Sequence, residues 1–185
     1  MTGPDHQRAS GFKGKLLLAD PALREGIFEK SVILVAEHSE EEGAFGLVLN
    51  HPTGNKVEDV FPSGEFPELS QLTVYAGGPV GQDHLTFAAF WKDGSQIHYR
   101  TRVSAEDAIQ LNQRAGTCVH AYIGYSGWSQ DQLEQEMAHQ SWHLSPLTPL
   151  LLRKNHSRQL WRRSMEHLSP YHRILSLSPE NILAN

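Results

Sequence analysis

Ser31-Val32-Ile33-Leu34-Val35-Ala36-Glu37, then eight residues, then Gly46-Leu47-Val48-Leu49-Asn50, is the stretch whose reading decides the fold. Apolar residues fill consecutive positions in both runs, as in strands covered on both faces. The break between them holds Glu40-Glu41-Glu42-Gly43, a polar turn. A parallel crossover needs about a dozen residues or more, so the two runs pair as an antiparallel hairpin.

Working outward, Lys15 to Ala19 reads as a strand stopped by Asp20-Pro21, and Leu72 to Ala76 as one ending at Gly77-Gly78-Pro79. Leu85 to Phe90 and Gln96 to Val103 form a second hairpin that turns at Lys92-Asp93-Gly94-Ser95. Ser104 caps a helix with Asp107 in its first turn, and that helix stops near Gly116. Thr117 to Ile123 alternates, with Cys118, His120 and Tyr122 on one face and Val119, Ala121 and Ile123 on the other. Gly124-Tyr125-Ser126-Gly127-Trp128 then reads as a tight aromatic turn. Ser129 with Gln132 is a capping box for the next helix. Ser157 opens a last helix with a stripe of Leu160, Trp161, Ser164, Met165 and Leu168, and Arg173 to Leu177 is expected to be a final strand. Hairpins outnumber strand–helix alternations, which predicts a single α+β domain over residues 14–185 with a flexible tail at 1–13.

The chain has 185 residues, 39% hydrophobic and 20% charged, enough for one sizeable core. Val32 to Ala36 and Leu150 to Leu152 are far shorter than the roughly 20 residues of a membrane span. The N-terminus shows no apolar signal segment, and Cys118 is the single cysteine. The expected location is therefore the cytoplasm, with no membrane partner. A net charge of −5 disfavours nucleic acid. Charge is uneven, however: Glu37 to Glu68 carries eight acids and one base, and Pro146 to Arg173 six bases and one acid. Arg153, Lys154, Arg158, Arg162 and Arg163 are thus the candidate nucleic-acid patch, against the plainer reading of a solvated basic face.

Glu37-His38 at a strand end is the strongest chemical candidate, because histidine works as acid or base near neutral pH. Glu37 or Glu134 is its possible carboxylate partner. The competing reading is a structural histidine whose ring bonds loop backbone or Asn50. Gly77-Gly78 is a turn requiring positive φ, or a backbone nest for an anion; it lacks the lysine and helix of a phosphate loop. Gly124-Tyr125-Ser126-Gly127-Trp128 misses the nucleophile-elbow pattern, since Trp128 stands at the last glycine position. Tyr125 and Trp128 supply aromatic walls for a shared surface with Glu37, His38, Asn50, Gly77, Gly78 and Glu134. Cys118 reads as a core residue. His139 and His143 lack the glutamate of a zincin motif, so no metal and no cofactor is expected.

Several spaced motifs resemble the AlgH/YqgE family. They are Gly14-Lys15-Leu16-Leu17-Leu18-Ala19, Phe28-x-x-Ser31-Val32, Glu37-His38 and Gly43-Ala44-x-Gly46-Leu47-Val48-Leu49-Asn50-x-Pro52. Gly77-Gly78-Pro79-Val80, Ala121 to Trp128, Gln132-Leu133-Glu134-x-Glu136, Trp142 and Trp161 continue the match. Where the family often carries Asp-x-x-Phe, Glu25 or Gly26 stands here, and Ser126 replaces a small residue, often alanine. The resemblance implies an α+β fold with a curved, barrel-like, mostly antiparallel sheet and flanking helices. Some members are labelled transcriptional regulators, and the family has no catalytic residues to carry over. The reading that results is a non-catalytic regulatory protein that binds a small ligand or a protein partner. The alternatives are a small enzyme centred on His38 and direct nucleic-acid binding through the basic C-terminal helix.

Overall fold

The computed structural model describes residues 11–24 and 26–177. Among the described residues, nine strands form one mixed sheet: β1 (Lys15–Ala19), β2 (Val32–Ser39), β3 (Gly43–Val48), β4 (Pro52–Lys56), β5 (Thr73–Ala76), β6 (Val80–Asp93), β7 (Gln96–Val103), β8 (Thr117–Trp128) and β9 (Trp142–Ser145). Five helices accompany them: α1 (Val57–Val60), α2 (Ala105–Asn112), α3 (Gln132–Ala138), α4 (Arg158–Leu168) and α5 (Pro170–Ser176).

The deciding hairpin is present. β2 and β3 pair antiparallel with Ile33 opposite Val48 and Leu34 opposite Leu47. The strand order runs β4-β5-β8-β3-β2-β1-β9. β6 lies along the other edge of β8 and carries β7 outside it. β5 and β3 share one edge of β8, at Ala121–Ile123 and Ser126–Trp128, so the sheet forks there and is not closed into a barrel. β5 with β8 is a parallel pair, and the other described pairs are antiparallel.

Strand alternation sorts the side chains into cores on opposite faces. Leu16, Leu18, Val32, Leu34, Leu47 and Leu49 point to the face that α4 covers with Leu160, Trp161 and Met165. Leu17, Ile33, Val35 and Val48 point the other way, under Leu133 of α3, Trp128 and Trp142. A third core places Val119, Ala121, Phe87, Val103 and Ala108 between β6, β8 and α2. Cover on both faces explains the unbroken apolar run of β2. Tyr122 belongs to the first core and Val119 and Ala121 to the third, as the alternation of β8 requires. Ser104 caps α2 by accepting the Asp107 N–H, and Ser157 caps α4 by accepting that of Gln159.

Three sequence expectations change. Gly124 to Trp128 is not a turn: β8 runs straight through to Trp128. Gly124 has φ +70°, and a Cβ there would strike the carbonyls of Gly78 and Val80. The glycine permits close strand approach rather than reversal. Ser129 precedes α3 by more than one residue; its N–H is held by the Gln132 side chain at 3.0 Å, while Asp131, at φ +60°, is the cap. Arg173 to Leu177 is no strand: Arg173 to Ser176 is the end of α5, which Ser169 caps and Pro170 opens. Of the tail expected at 1–13, residues 1–10 lie outside the described residues. The Phe12 carbonyl accepts the Lys15 N–H at 3.1 Å, and its ring packs on the α3-covered core.

Candidate functional site

His38 and Glu134 are brought together, and the reason is structural. His38 Nε2 lies 2.7 Å from Glu134 Oε1 on α3, and the Phe12 N–H donates to Nδ1 at 3.2 Å. The Phe12 ring closes over the imidazole, with centroids 5.1 Å apart, and the His38 side chain is 7% exposed. Both ring nitrogens are occupied, and the pair clamps residue 12 and α3 to β2. Glu37, the neighbour in sequence, points away and pairs with Arg102 at 3.0 Å. The Arg102 guanidinium in turn lies over Phe45, 4.1 Å from its centroid. Asn50 does not reach His38. Its Oδ1 accepts the Val32 N–H at 2.8 Å and its Nδ2 donates to Lys30 O at 2.9 Å, so it fixes the start of β2.

Gly77 and Gly78 form no open nest. The Gly77 N–H donates to Ile123 O, and its carbonyl accepts from Val48 N and Ser126 Oγ. Gly78, at φ +154°, lies against the Tyr125–Ser126 backbone with no room for a Cβ. Tyr125 stacks obliquely on Phe45 at 5.1 Å. Trp128 is buried, and its indole N–H donates to Glu136 Oε2 at 2.9 Å. Trp142 donates to the same oxygen at 2.7 Å, so one carboxylate ties α3 to β8 and β9. Of the basic residues, Arg158, Arg162 and Arg163 lie on α4. Arg162 pairs with Glu166, Arg158 edges a hollow beside His51, and Arg153 and Lys154 sit in the loop before α4.

Sequence reading missed two histidine clusters. Inside the core, His120 and His156 stack with centroids 4.4 Å apart beside Tyr75, and Tyr122 lies against His120. Cys118 Sγ lies 3.4 Å from His120 Nε2 and donates to Arg153 O at 3.3 Å. Burial pushes His120 down to about 3 and lowers His156, while it raises the Cys118 thiol. All three are therefore neutral near pH 7, and Cys118 is a thiol rather than a nucleophilic thiolate. Near the surface, Asp20, His143, His172 and Ser169 are linked in a chain at 2.8, 3.2 and 2.7 Å. Ser169 also caps α5, so this chain fastens α5 to β9. Among the described residues, no three His, Cys, Asp or Glu side chains are grouped to hold a metal ion.

An open, mainly apolar concavity lies elsewhere, on the α1–β6–β7 flank, with a volume of about 430 Å³. Val57 and Val60 of α1, with Phe61 and Phe66 after it, form one wall. Leu85 and Phe87 of β6 form the other, and Val103 and Ile123 lie between. Gln82, Asp83, His84 and Ser104, all exposed, edge the opening. Phe61 and Phe66 stack at 6.2 Å with planes 23° apart, and Phe61 stays 41% exposed. The Asp83 carboxyl is held below its usual range by its own backbone N–H and by His84 at 2.8 Å. None of the eight residues that sequence singled out as a shared surface lines this groove. Two phenylalanines in an acidic, proline-bearing loop were the available signal.

A profile of the AlgH-like family (DUF179) matches residues 16–172. The chain belongs to the AlgH-like family. A UPF0301 protein of Shewanella frigidimarina is 33% identical, over 84% of this chain and 90% of its own length. One of Chlamydia caviae is 30% identical over 94% and 95%. The crystal structure of DIP2367 from Corynebacterium diphtheriae superposes with TM-score 0.72 at 24% identity, covering 89% of this chain and 91% of that one. The solution structure of AlgH from Pseudomonas aeruginosa does so with TM-score 0.62 at 22%, covering 97% and 98%. These two share the α+β fold. No described helix of this AlgH-like chain is long and apolar enough to cross a membrane.

Proposed function

We propose that this AlgH-like chain is a non-catalytic, ligand-responsive regulatory protein of the cytoplasm, and that its ligand seat is the α1–β6–β7 groove. The observation that carries the reading is the groove itself. It is an open space of about 430 Å³, walled by apolar and aromatic side chains and edged by a few polar groups. That size and lining fit a small molecule with an apolar body. The rival enzyme reading draws no support from the geometry, because His38 has both nitrogens engaged and Cys118 is a buried thiol. Direct nucleic-acid binding is not favoured either, since the net charge is −5.

The test is fluorescence titration with N-phenyl-1-naphthylamine, a neutral apolar probe, on the intact protein and on Phe66→Ser. The reading expects saturable enhancement that drops about tenfold in affinity in the variant. Equal binding by both proteins would remove the groove as the seat.

A further inference from the structure

Resting on that reading, we propose that the groove selects amphipathic cations: small molecules with an apolar tail and a protonated amine or quaternary ammonium head. Acidic residues flank the groove: Asp83 lines it, and the others stand close in the chain to residues that do. The wall segment from Val57 to Leu69 carries Glu58, Asp59, Glu65 and Glu68 and no lysine or arginine, and all four acids are exposed. Asp83 stands on the facing strand, and Glu106 follows Ser104 and Ala105 in the first turn of α2.

Asp83 meets the His84 imidazole at 2.8 Å, and the contacts of Glu58 and Asp59 leave their charge in place. Asp59 accepts the Lys56 N–H at 2.7 Å and Glu58 accepts the Gln71 amide at 2.8 Å, both neutral donors. Lys56, the adjacent base, turns its ammonium to the Thr73 hydroxyl at 3.1 Å. Arg100 is occupied by Asp107 at 2.6 Å, and Arg102 by Glu37. Asp83 is ionised at neutral pH because its hydrogen bonds stabilise the carboxylate.

The aromatic pair points the same way. Phe61 and Phe66 pack ring on ring in the segment that carries four of these acids, and the Phe61 ring stays 41% exposed, so an aromatic surface that attracts cations is accessible there. The interior is lined by Val57, Leu85, Phe87, Val103 and Ile123, which suit a tail and cannot solvate a charged head. A head group is thereby confined to the rim, where a carboxylate is repelled and an ammonium attracted. Tail and head thus meet opposite chemistry within one site, and this distinguishes an amine from a fatty acid of the same length.

The experiment displaces N-phenyl-1-naphthylamine with decylamine, decanol and decanoate, which share a tail and differ in the head. Decylamine is expected to displace at about tenfold lower concentration than decanol, with decanoate weakest. About 0.5 M sodium chloride should shrink that advantage, and Asp83→Asn should narrow the ratio of amine to decanol about threefold. Decanol binding as well as decylamine, or decanoate binding better, would overturn the cation proposal and leave the groove reading intact. Displacement by none of the three would overturn the groove reading itself. A lysine–leucine helical peptide that outcompetes decylamine would replace the small-molecule occupant with a polypeptide, and so also overturn the proposal.

Discussion

Around β2 and β3, polar side chains close on one another. His38 holds Phe12 and Glu134, Asn50 holds Val32 and Lys30, and Glu136 holds two indoles. On the α1–β6–β7 flank, Asp83, His84 and Ser104 stand exposed at the edge of an apolar hollow. The first region has helices on both faces of the sheet; the second leaves aromatic side chains facing open space. Residues that look chemical in the sequence therefore serve stability in the first region. The second region, with no recognisable motif, holds the groove proposed as a ligand seat. Substitutions should divide the same way: stability lost in one region, binding lost in the other.

The largest effect should come from acid on the buried histidines. His120 has its folded pKa depressed to about 3 against 6.5 unfolded. As pH falls below 6.5, the unfolded chain takes up a proton that the folded one refuses, so stability declines until about pH 3. The depressed pKa of His120 should by itself cost the fold on the order of a few kcal/mol across that window. His156 shifts in the same direction and adds to the loss. Urea midpoints at about pH 7 and about pH 4.5 measure this, and a midpoint unchanged between them would contradict the dry His120–His156 contact.

The next effect is Glu136→Ala, which strands the indole N–H groups of Trp128 and Trp142. Two buried donors without a charged acceptor predict a loss of about 3 kcal/mol in chemical denaturation. His38→Ala follows, at about 2 kcal/mol, because the Phe12 N–H and Glu134 lose their partner. Probe binding at the groove should be unchanged in both variants. Loss of binding without loss of stability in His38→Ala would erase the distinction between the two regions.

How much of this was legible depends on the range of the cause. The faces of β2 and β8 could be read because alternation is local, and Tyr122 and Ala121 lie where it puts them. Gly124 misled because its reason is non-local: the carbonyls of Gly78 and Val80 approach from another strand. α5 was marked by Ser169 and Pro170, and the short apolar run from Ile174 outweighed them. The pairing of His38 with Glu134 spans 96 residues and was seen only as one of two options. The groove draws on four separated segments, so no window of sequence contains it.

The smallest stability effect should be Phe61→Ser. Its ring is 41% exposed, so folding should change by no more than about 0.5 kcal/mol. Probe affinity should nonetheless fall about tenfold. A large stability loss here would mean that the stacked pair with Phe66 is structural and would weaken the contrast with the β2–β3 region.

The most direct measurement is a backbone amide NMR titration of the intact protein with N-phenyl-1-naphthylamine. The account predicts saturable shifts confined to residues 57–66, 82–87, 103–105 and Ile123. Shifts centred on His38, Glu134 and Gly77 instead, with the groove silent, would contradict it.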